Sequence, residues 1–233
     1  MSFYIEWLEN KNTDVERRYL EYFLRSNDKT IEVFRNGDEA SLGIAISVIN
    51  SVPIEKYVEV IDKLNCEDDV VSAQVPQFSD FNDGVYRIPE LLEFSPNGMT
   101  FEKIGYQLVK SATEGAGIKY GENHAKLAST MELVTIRKHP SNVRSTALGK
   151  YLIKFIPDEK NELLKRLLLR QYLVQKMIKG SANDVLSYRW VVSNLSMATA
   201  IRRRNNVRIL LEFVLKDSSE EKRLSNIDWQ VKE

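Results

Sequence analysis

Apolar and polar positions recur along this chain with periods that change several times, and the changes mark its elements. At 13–24, Val15, Tyr19, Tyr22 and Phe23 recur at helical spacing behind Asn12 or Thr13 as cap, which predicts a helix. Residues 30–34, Thr-Ile-Glu-Val-Phe, are β-branched and aromatic and run into the turn dipeptide Asn36-Gly37, so a short strand is expected. The run 41–51 is mostly apolar and suits a buried strand or a helix; its Ile and Val content leans toward strand. Pro53 sits at the start of an expected helix over 54–64. From 70 to 96, Pro76, Pro89 and Pro96 with aspartates and Gly84 predict an irregular connector, with one short strand around 85–88.

The second half is more periodic. Thr100 can cap a helix in which Phe101, Ile104, Leu108 and Val109 face inward. Gly115-Ala116-Gly117 then makes a turn, and a second helix over 119–131 offers Ala125, Leu127, Ala128 and Met131 for packing. Lys119, Glu122, Asn123 and Lys126 stay polar and free on it. Helix, glycine turn, helix is the helix-turn-helix pattern, whose second helix enters a major groove. The alternating run 133–138, the turn at His139-Pro140-Ser141-Asn142 and the return at 143–145 predict a hairpin placed as a wing. Beyond it, 158–179 reads as one long helix with a broad leucine-rich face, ended by Gly180, and a further helix contains Val185, Leu186, Trp190 and Val191. Asn194-Leu195 turns the chain into 196–216, a helix capped by Ser196 with Ile201, Val207, Leu210, Leu211 and Val214 on one stripe. Its other stripe is cationic and polar, carrying Thr199, Arg202, Arg203 and Asn206 with Arg204 and Arg208 beside them; a bland account of it is a solvated or acid-paired face. A loop over 217–223 and a terminal strand through Leu224, Ile227, Trp229 and Val231 close the chain, with Trp229 expected to be buried.

Composition narrows the function. At 233 residues, 43% hydrophobic and 28% charged, the chain has enough material for one or two well-buried units. No run approaches the roughly 18 apolar residues of a membrane span, and the start Met-Ser-Phe-Tyr-Ile-Glu-Trp-Leu-Glu has no basic leader, so no membrane partner and a cytoplasmic location are expected. Cys66, with only His124 and His139 to help, cannot build a zinc site; neither metal nor cofactor is expected. Glu9-Asn10-Lys11 and Glu220-Glu221-Lys222 are poor matches to a metal-nuclease strand, and Gly115-Ala116-Gly117 lacks the Gly-Lys-Ser/Thr of a phosphate loop, so no enzyme is expected. The formal net charge of zero conceals an asymmetry: residues 1–97 carry 9 Lys and Arg against 19 Asp and Glu, and residues 98–233 carry 24 against 14. This split predicts an acidic N-terminal unit and a basic C-terminal one.

Two stretches resemble a known family. The run K-Y-G-E-N-H-A-K-L-A-S-T-M-E-L-V-T-I, followed by S-T-A-L-G-K, is similar to winged-helix modules of prokaryotic restriction and phage-defence proteins, with Thr146-Ala147-Leu148-Gly149 a small departure from the Leu-Thr-x-x-Gly-like element of that family. Ser196, Thr199, Arg202, Arg203, Val207 and Leu211 resemble the second module of such tandem proteins, and together the likeness covers about 98–216. The implied fold is α+β and mainly helical: an acidic α/β unit at 1–97, a first winged helix at 98–156, and at 157–233 a long connecting helix with a second winged-helix-like module. The implied role is a non-catalytic subunit that binds double-stranded DNA inside a multisubunit defence complex and so also has protein partners. Lys119, Tyr120, Asn123, Lys126, Arg137, Lys138 and Arg144 are then the DNA-contacting candidates of the first module, and Thr199, Arg202, Arg203 and Asn206 those of the second. The alternative is a scaffold, like the tandem winged-helix proteins that accompany SMC-type ATPases.

Overall fold

The computed structural model describes residues 13–25, 29–109 and 113–231. Helices dominate, and the described strands form two two-stranded sheets. Two compact units result, and the chain alternates between them: unit 1 takes Met1–Asp28, Ala45–Val75 and Glu162–Glu233, and unit 2 takes Lys29–Ile44 and Pro76–Asn161. This differs from the linear division expected from the charge split, since both units draw on the acidic half and the basic half.

Unit 1 is built on α1 (Thr13–Leu24), the later part of α3 (Glu39–Ser51), α4 (Ile54–Ile61), α9 (Pro157–Leu168) from Glu162 onward, α10 (Tyr172–Gly180), the short α11 (Tyr188–Val191) and α12 (Met197–Leu215). Its core contains Leu20, Phe23 and Leu24 of α1, Tyr57 and Ile61 of α4, Leu163, Leu164, Leu167 and Leu168 of α9, and Val207, Leu211 and Val214 of α12. The run 41–51, leaned toward strand from its β-branched residues, is helical. Buried Leu42, Ala45, Ile46 and Ile49 are spaced i, i+3, i+4 and i+7, so helical packing overrides strand propensity.

The single helix expected over 158–179 is broken at residues 169–171. No Gly or Pro causes the break. Its freed ends are satisfied by side chains: Gln175 donates to Leu169 O at 2.8 Å and to Leu24 O at 2.9 Å. Arg170 donates to Phe23 O at 3.1 Å, and Arg166 donates to Val52 O at 2.8 Å and Asn50 O at 3.3 Å. Lys176 reaches Asp68 O at 2.6 Å, and Lys179 reaches Leu64 O. Phe23 O, Leu24 O, Asn50 O, Val52 O and Leu64 O are carbonyls at or just past the C-terminal ends of α1, α3 and α4, where no intrahelical partner remains and the helix dipole favours a cation. Both halves are buried on nearly all sides, from Leu163 to Arg170 and from Leu173 to Ile178.

At the end of the chain, a 3-10 segment (Ser219–Asn226) leads into β4 (Ile227–Asp228), which pairs in parallel with β3 (Leu186–Ser187). The expected terminal strand is therefore two residues long. Trp229 is half-buried rather than buried, with its ring centroid 5.6 Å from that of Tyr188.

Unit 2 holds α2 (Lys29–Asn36), a π-turn (Asp83–Arg87) running into α5 (Ile88–Glu93), α6 (Phe101–Leu108), α7 (Glu114–Thr130), β1 (Val134–Arg137), β2 (Asn142–Ser145) and α8 (Ala147–Leu152). The strand expected at 30–34 is α2, whose buried Thr30 and Phe34 lie one helical turn apart. The strand expected near 85–88 is also helical: Val85, Ile88 and Leu92 point into the core at helical steps, and Pro89 sits in the first turn of α5, where no N–H is needed. The glycines placed in a turn at 115–117 lie inside α7 instead. Gly117 and Gly121 let α7 cross α6 closely: a Cβ at Gly105 would stand 1.8 Å from Gly117 O, and one at Gly121 would stand 2.0 Å from Phe101 O. The helices meet backbone to backbone.

β1 and β2 pair antiparallel in the register Val134↔Ser145 to Arg137↔Asn142, and Met99 bridges to Val143 on the other side of β2. Thr146 fixes this hairpin to its neighbours. Its hydroxyl accepts from Gly149 N as the α8 cap and donates to Glu132 O at 2.6 Å, while Gly149 has no room for a Cβ beside Leu133 O. The Thr146-Ala147-Leu148-Gly149 element is thus a joint between α7, β1 and α8.

Two substitutions test these constraints. Arg166→Met leaves the carbonyls of Asn50 and Val52 without their buried donor and should lower the unfolding free energy by about 2–4 kcal/mol in denaturant titration, whereas Glu162→Gln, at its half-exposed partner, should cost under about 1 kcal/mol. Gly121→Ala should destabilise unit 2 by roughly 1–3 kcal/mol or more through overpacking. Gly115→Ala, with nothing within 4 Å of the added carbon, should be neutral or gain up to about 1 kcal/mol of helix propensity.

Candidate nucleic-acid interface

The surface left outward in unit 2 is a polar stripe on α7 beside the outer face of the hairpin. Packing fixes the stripe. Because Gly117, Gly121, Ala125 and Ala128 turn inward, Lys119, Glu122, Asn123 and Lys126 are presented on the opposite side. Lys119 and Lys126 are exposed, and both donate to Glu122, at 2.7 and 2.5 Å, one to each carboxylate oxygen. The lysine hydrogen bonds, that of Lys119 first, hold the Glu122 carboxyl below its ordinary range, so it is ionised. Asn123 is half-buried beside them.

Tyr120, a candidate contact, does not belong to this surface. Its hydroxyl donates to Asp83 at 2.7 Å, its ring stacks on His124 at 4.0 Å between centroids, and burial followed by the Asp83 carboxylate drives its pKa far up. Asp83 is buried and is also held by Arg87 at 2.8 Å. His124, 1% exposed, completes the anchor. The backbone N–H groups of Ser79 and Asp80 both donate to its Nε2 at 3.2 Å, which makes Nδ1 the protonated nitrogen, donating to Tyr120 O at 2.8 Å. Tyr120 and His124 therefore hold the rotation of α7 against the 79–87 segment, a structural role that fixes which side chains α7 shows.

On the hairpin, Arg137, Lys138 and Arg144 are exposed as expected. Thr135, Arg137, Asn142 and Arg144 line a shallow cleft of about 160 Å³ on one face, as the register places Thr135 opposite Arg144 and Arg137 opposite Asn142. Arg144 Nε donates to Asn142 Oδ1 at 3.0 Å and Arg137 Nε to His139 O at 3.3 Å. No acidic side chain pairs with Arg137, Lys138 or Arg144 among the described residues. Thr135 and Asn142 were not singled out from the sequence, although period-2 alternation places them on the face of the two arginines.

In unit 1, α12 is present as expected and Ser196 caps it, accepting from Thr199 N at 3.3 Å. Its chemistry is different from the expectation. Arg203 turns inward and donates to Ser72 O at 2.5 Å and Val75 O at 2.9 Å, and Asn206 is 7% exposed. Neither is available to DNA. Thr199 Oγ1 accepts a hydrogen bond from the Ser196 hydroxyl at 2.9 Å and belongs to the cap. Arg202 stays exposed. Ile201, expected on the apolar stripe, is exposed with Asn205 and Arg208, and Arg208 pairs with Glu212 at 2.7 Å. Only the four-residue α11 precedes α12, and the 3-10 segment and a two-residue parallel strand follow it, so the second module lacks the hairpin of a wing among the described residues.

Among the described residues no group of three His, Cys, Asp or Glu side chains is placed to hold a metal ion, and none of the helices is long and apolar enough to cross a membrane. Cys66 is buried, and burial pushes its thiol pKa up. No family model, curated protein or solved structure matches this chain.

The His124 anchor carries a pH signature. Burial holds its pKa below the ordinary value, against the opposing pull of the Tyr120 carbonyl, Asp83 and Asp80, so the folded state keeps it neutral where the unfolded chain, titrating near 6.5, binds a proton. The unfolded state then binds more protons, and stability falls as pH drops below about 6.5 until the folded pKa is reached. The stability advantage of wild type over His124→Gln, measured by thermal or denaturant unfolding, should shrink by up to about 1.4 kcal/mol per pH unit in that window.

Proposed function

We propose that residues 98–152 are a winged-helix module and that this chain is a non-catalytic, cytoplasmic subunit that binds duplex DNA within a larger prokaryotic restriction or defence assembly. The observation that carries the DNA-binding reading is the hairpin: Arg137, Lys138 and Arg144 stand exposed without acidic partners among the described residues, directly after two closely crossed helices whose outer polar face adjoins them in sequence. Guanidinium groups of this kind hold phosphate oxygens, and the outer stripe of α7 is the part that meets base edges. Met99, bridged to Val143, supports the module reading by adding a third strand position to the hairpin. The assembly itself rests on the sequence resemblance.

On this reading the candidates left open to DNA are Lys119, Asn123, Lys126, Arg137, Lys138 and Arg144 in unit 2, with Glu122 between the lysines, and Arg202 in unit 1, since Tyr120, Thr199, Arg203 and Asn206 are engaged within their own units. One observation favours the scaffold reading for unit 1: Val185 and Trp190 are 74% and 66% exposed, large apolar side chains in water that suit a protein surface. The two readings concern different units and are compatible.

Binding of a labelled duplex to the full chain, measured across salt concentrations, tests the proposal. Wild type should show log K falling steeply with log[salt], and Arg137→Ala/Arg144→Ala should flatten that slope by about 1.8, the release of two phosphate contacts. Absence of binding at low salt, or an unchanged slope in the double variant, overturns it.

A further inference from the structure

A carboxylate in the middle of a DNA-facing helix is at first sight a fault. Phosphates repel it, and of the polar side chains exposed on the α7 stripe it is the one that can only accept hydrogen bonds. The geometry around Glu122 removes the fault. Lys119 Nζ holds one oxygen at 2.7 Å and Lys126 Nζ holds the other at 2.5 Å, so the stripe presents donor, acceptor, donor over two helical turns with a net positive charge. Helix positions i−3 and i+4 place the two lysines on either side of Glu122 along the axis, and neither needs to leave the group for it to meet a groove edge.

The major groove offers a carboxylate two donors, cytosine N4 and adenine N6. They are not equivalent. Adenine N6 lies between two acceptors, its own N7 and thymine O4, whose lone pairs oppose a carboxylate on both sides. Cytosine N4 has an acceptor on one side alone, guanine O6, and that oxygen with the neighbouring N7 is the preferred target of an ammonium group. A Glu–Lys pair thus complements the edge of a C·G pair: the carboxylate accepts from cytosine while the lysine donates to guanine.

We propose that the Lys119–Glu122–Lys126 group makes α7 selective for a C·G pair, with Glu122 as the specificity-determining residue, and that Asn123 and the hairpin cations contribute adjacent contacts. This inference rests on the DNA-binding reading of unit 2. It goes beyond that reading in naming a base pair and the side chain that selects it.

Selection of bound duplexes from a randomised pool, with full-length wild type and Glu122→Gln in parallel, tests it. The Glu122 side chain is 24% exposed and its replacement is isosteric, so the variant's thermal midpoint provides the check on folding. Wild type should enrich one position for C·G by roughly 5- to 150-fold over other pairs. In Glu122→Gln that position should shift toward A·T, because an amide pairs with adenine N6 and N7. Enriched duplexes without a C·G position, or a C·G preference that survives Glu122→Gln, overturn the readout and leave DNA binding standing. A pool in which wild type retains no duplex at low salt overturns both.

Discussion

Basic side chains in unit 1 donate to carbonyls that its helix ends leave without intrahelical partners. Arg166, Arg170 and Lys176 are each under a tenth exposed, and their donors go to carbonyls at the C-terminal ends of α1 and α3 and in the segment after α4. Burying a guanidinium costs several kcal/mol unless its protons are all received, and helix C-termini supply both the missing acceptors and a favourable dipole. The charge split along the chain acquires a second meaning from this. Much of the basic surplus of the second half is consumed inside unit 1, by Arg166, Arg170, Lys176, Arg203 and Arg223, the last gripping Asp62 with two nitrogens at 2.9 and 2.8 Å. A surplus counted from sequence is therefore not a measure of exposed positive field, and the cations that matter for a ligand are the few with no such task.

In unit 2 the governing constraint is steric. The crossing of α6 and α7 at Gly105, Gly117 and Gly121 fixes which face of α7 is inside, and the Tyr120–His124–Asp83 group fixes its rotation. The exposed stripe is a by-product of both. Lys119, Glu122 and Lys126 owe their position to residues with no charge of their own to offer a ligand.

How much of this was legible depended on whether a single periodicity decided the matter. The extents of α1 and α12 and the presence of the helix pair and the hairpin were readable because caps, apolar spacing and the turn at His139-Pro140 agree, while the glycines at 115–117 hid the first turn of α7. The segments 30–34 and 41–51 misled because β-branched residues fill helical positions there, and composition outweighed the i, i+3, i+4 spacing that was present. In α12 the error was angular. Arg203, Val207, Leu210 and Val214 form one line at steps of four, three and four, so Arg203 belongs to the buried stripe, while Ile201 lies six residues before Val207 and points well away from it. Counting from Val207 would have exchanged the two. What no sequence pattern disclosed is the break at 169–171, where Arg170 and Gln175 donate to carbonyls about 150 residues upstream.

The alternation of the chain between its units also imposes an order on synthesis. Unit 2 is complete once residue 161 has been made, and its helix pair and hairpin can then close around local contacts. Unit 1 must wait. Its helix α1 is made before any part of unit 2, yet the side chains that donate to its last carbonyls, Arg170 and Gln175, are about 150 residues downstream. During that interval the apolar faces of α1 and α4 have no completed core, and a nascent chain of this kind is a natural client for chaperones that shield such surfaces.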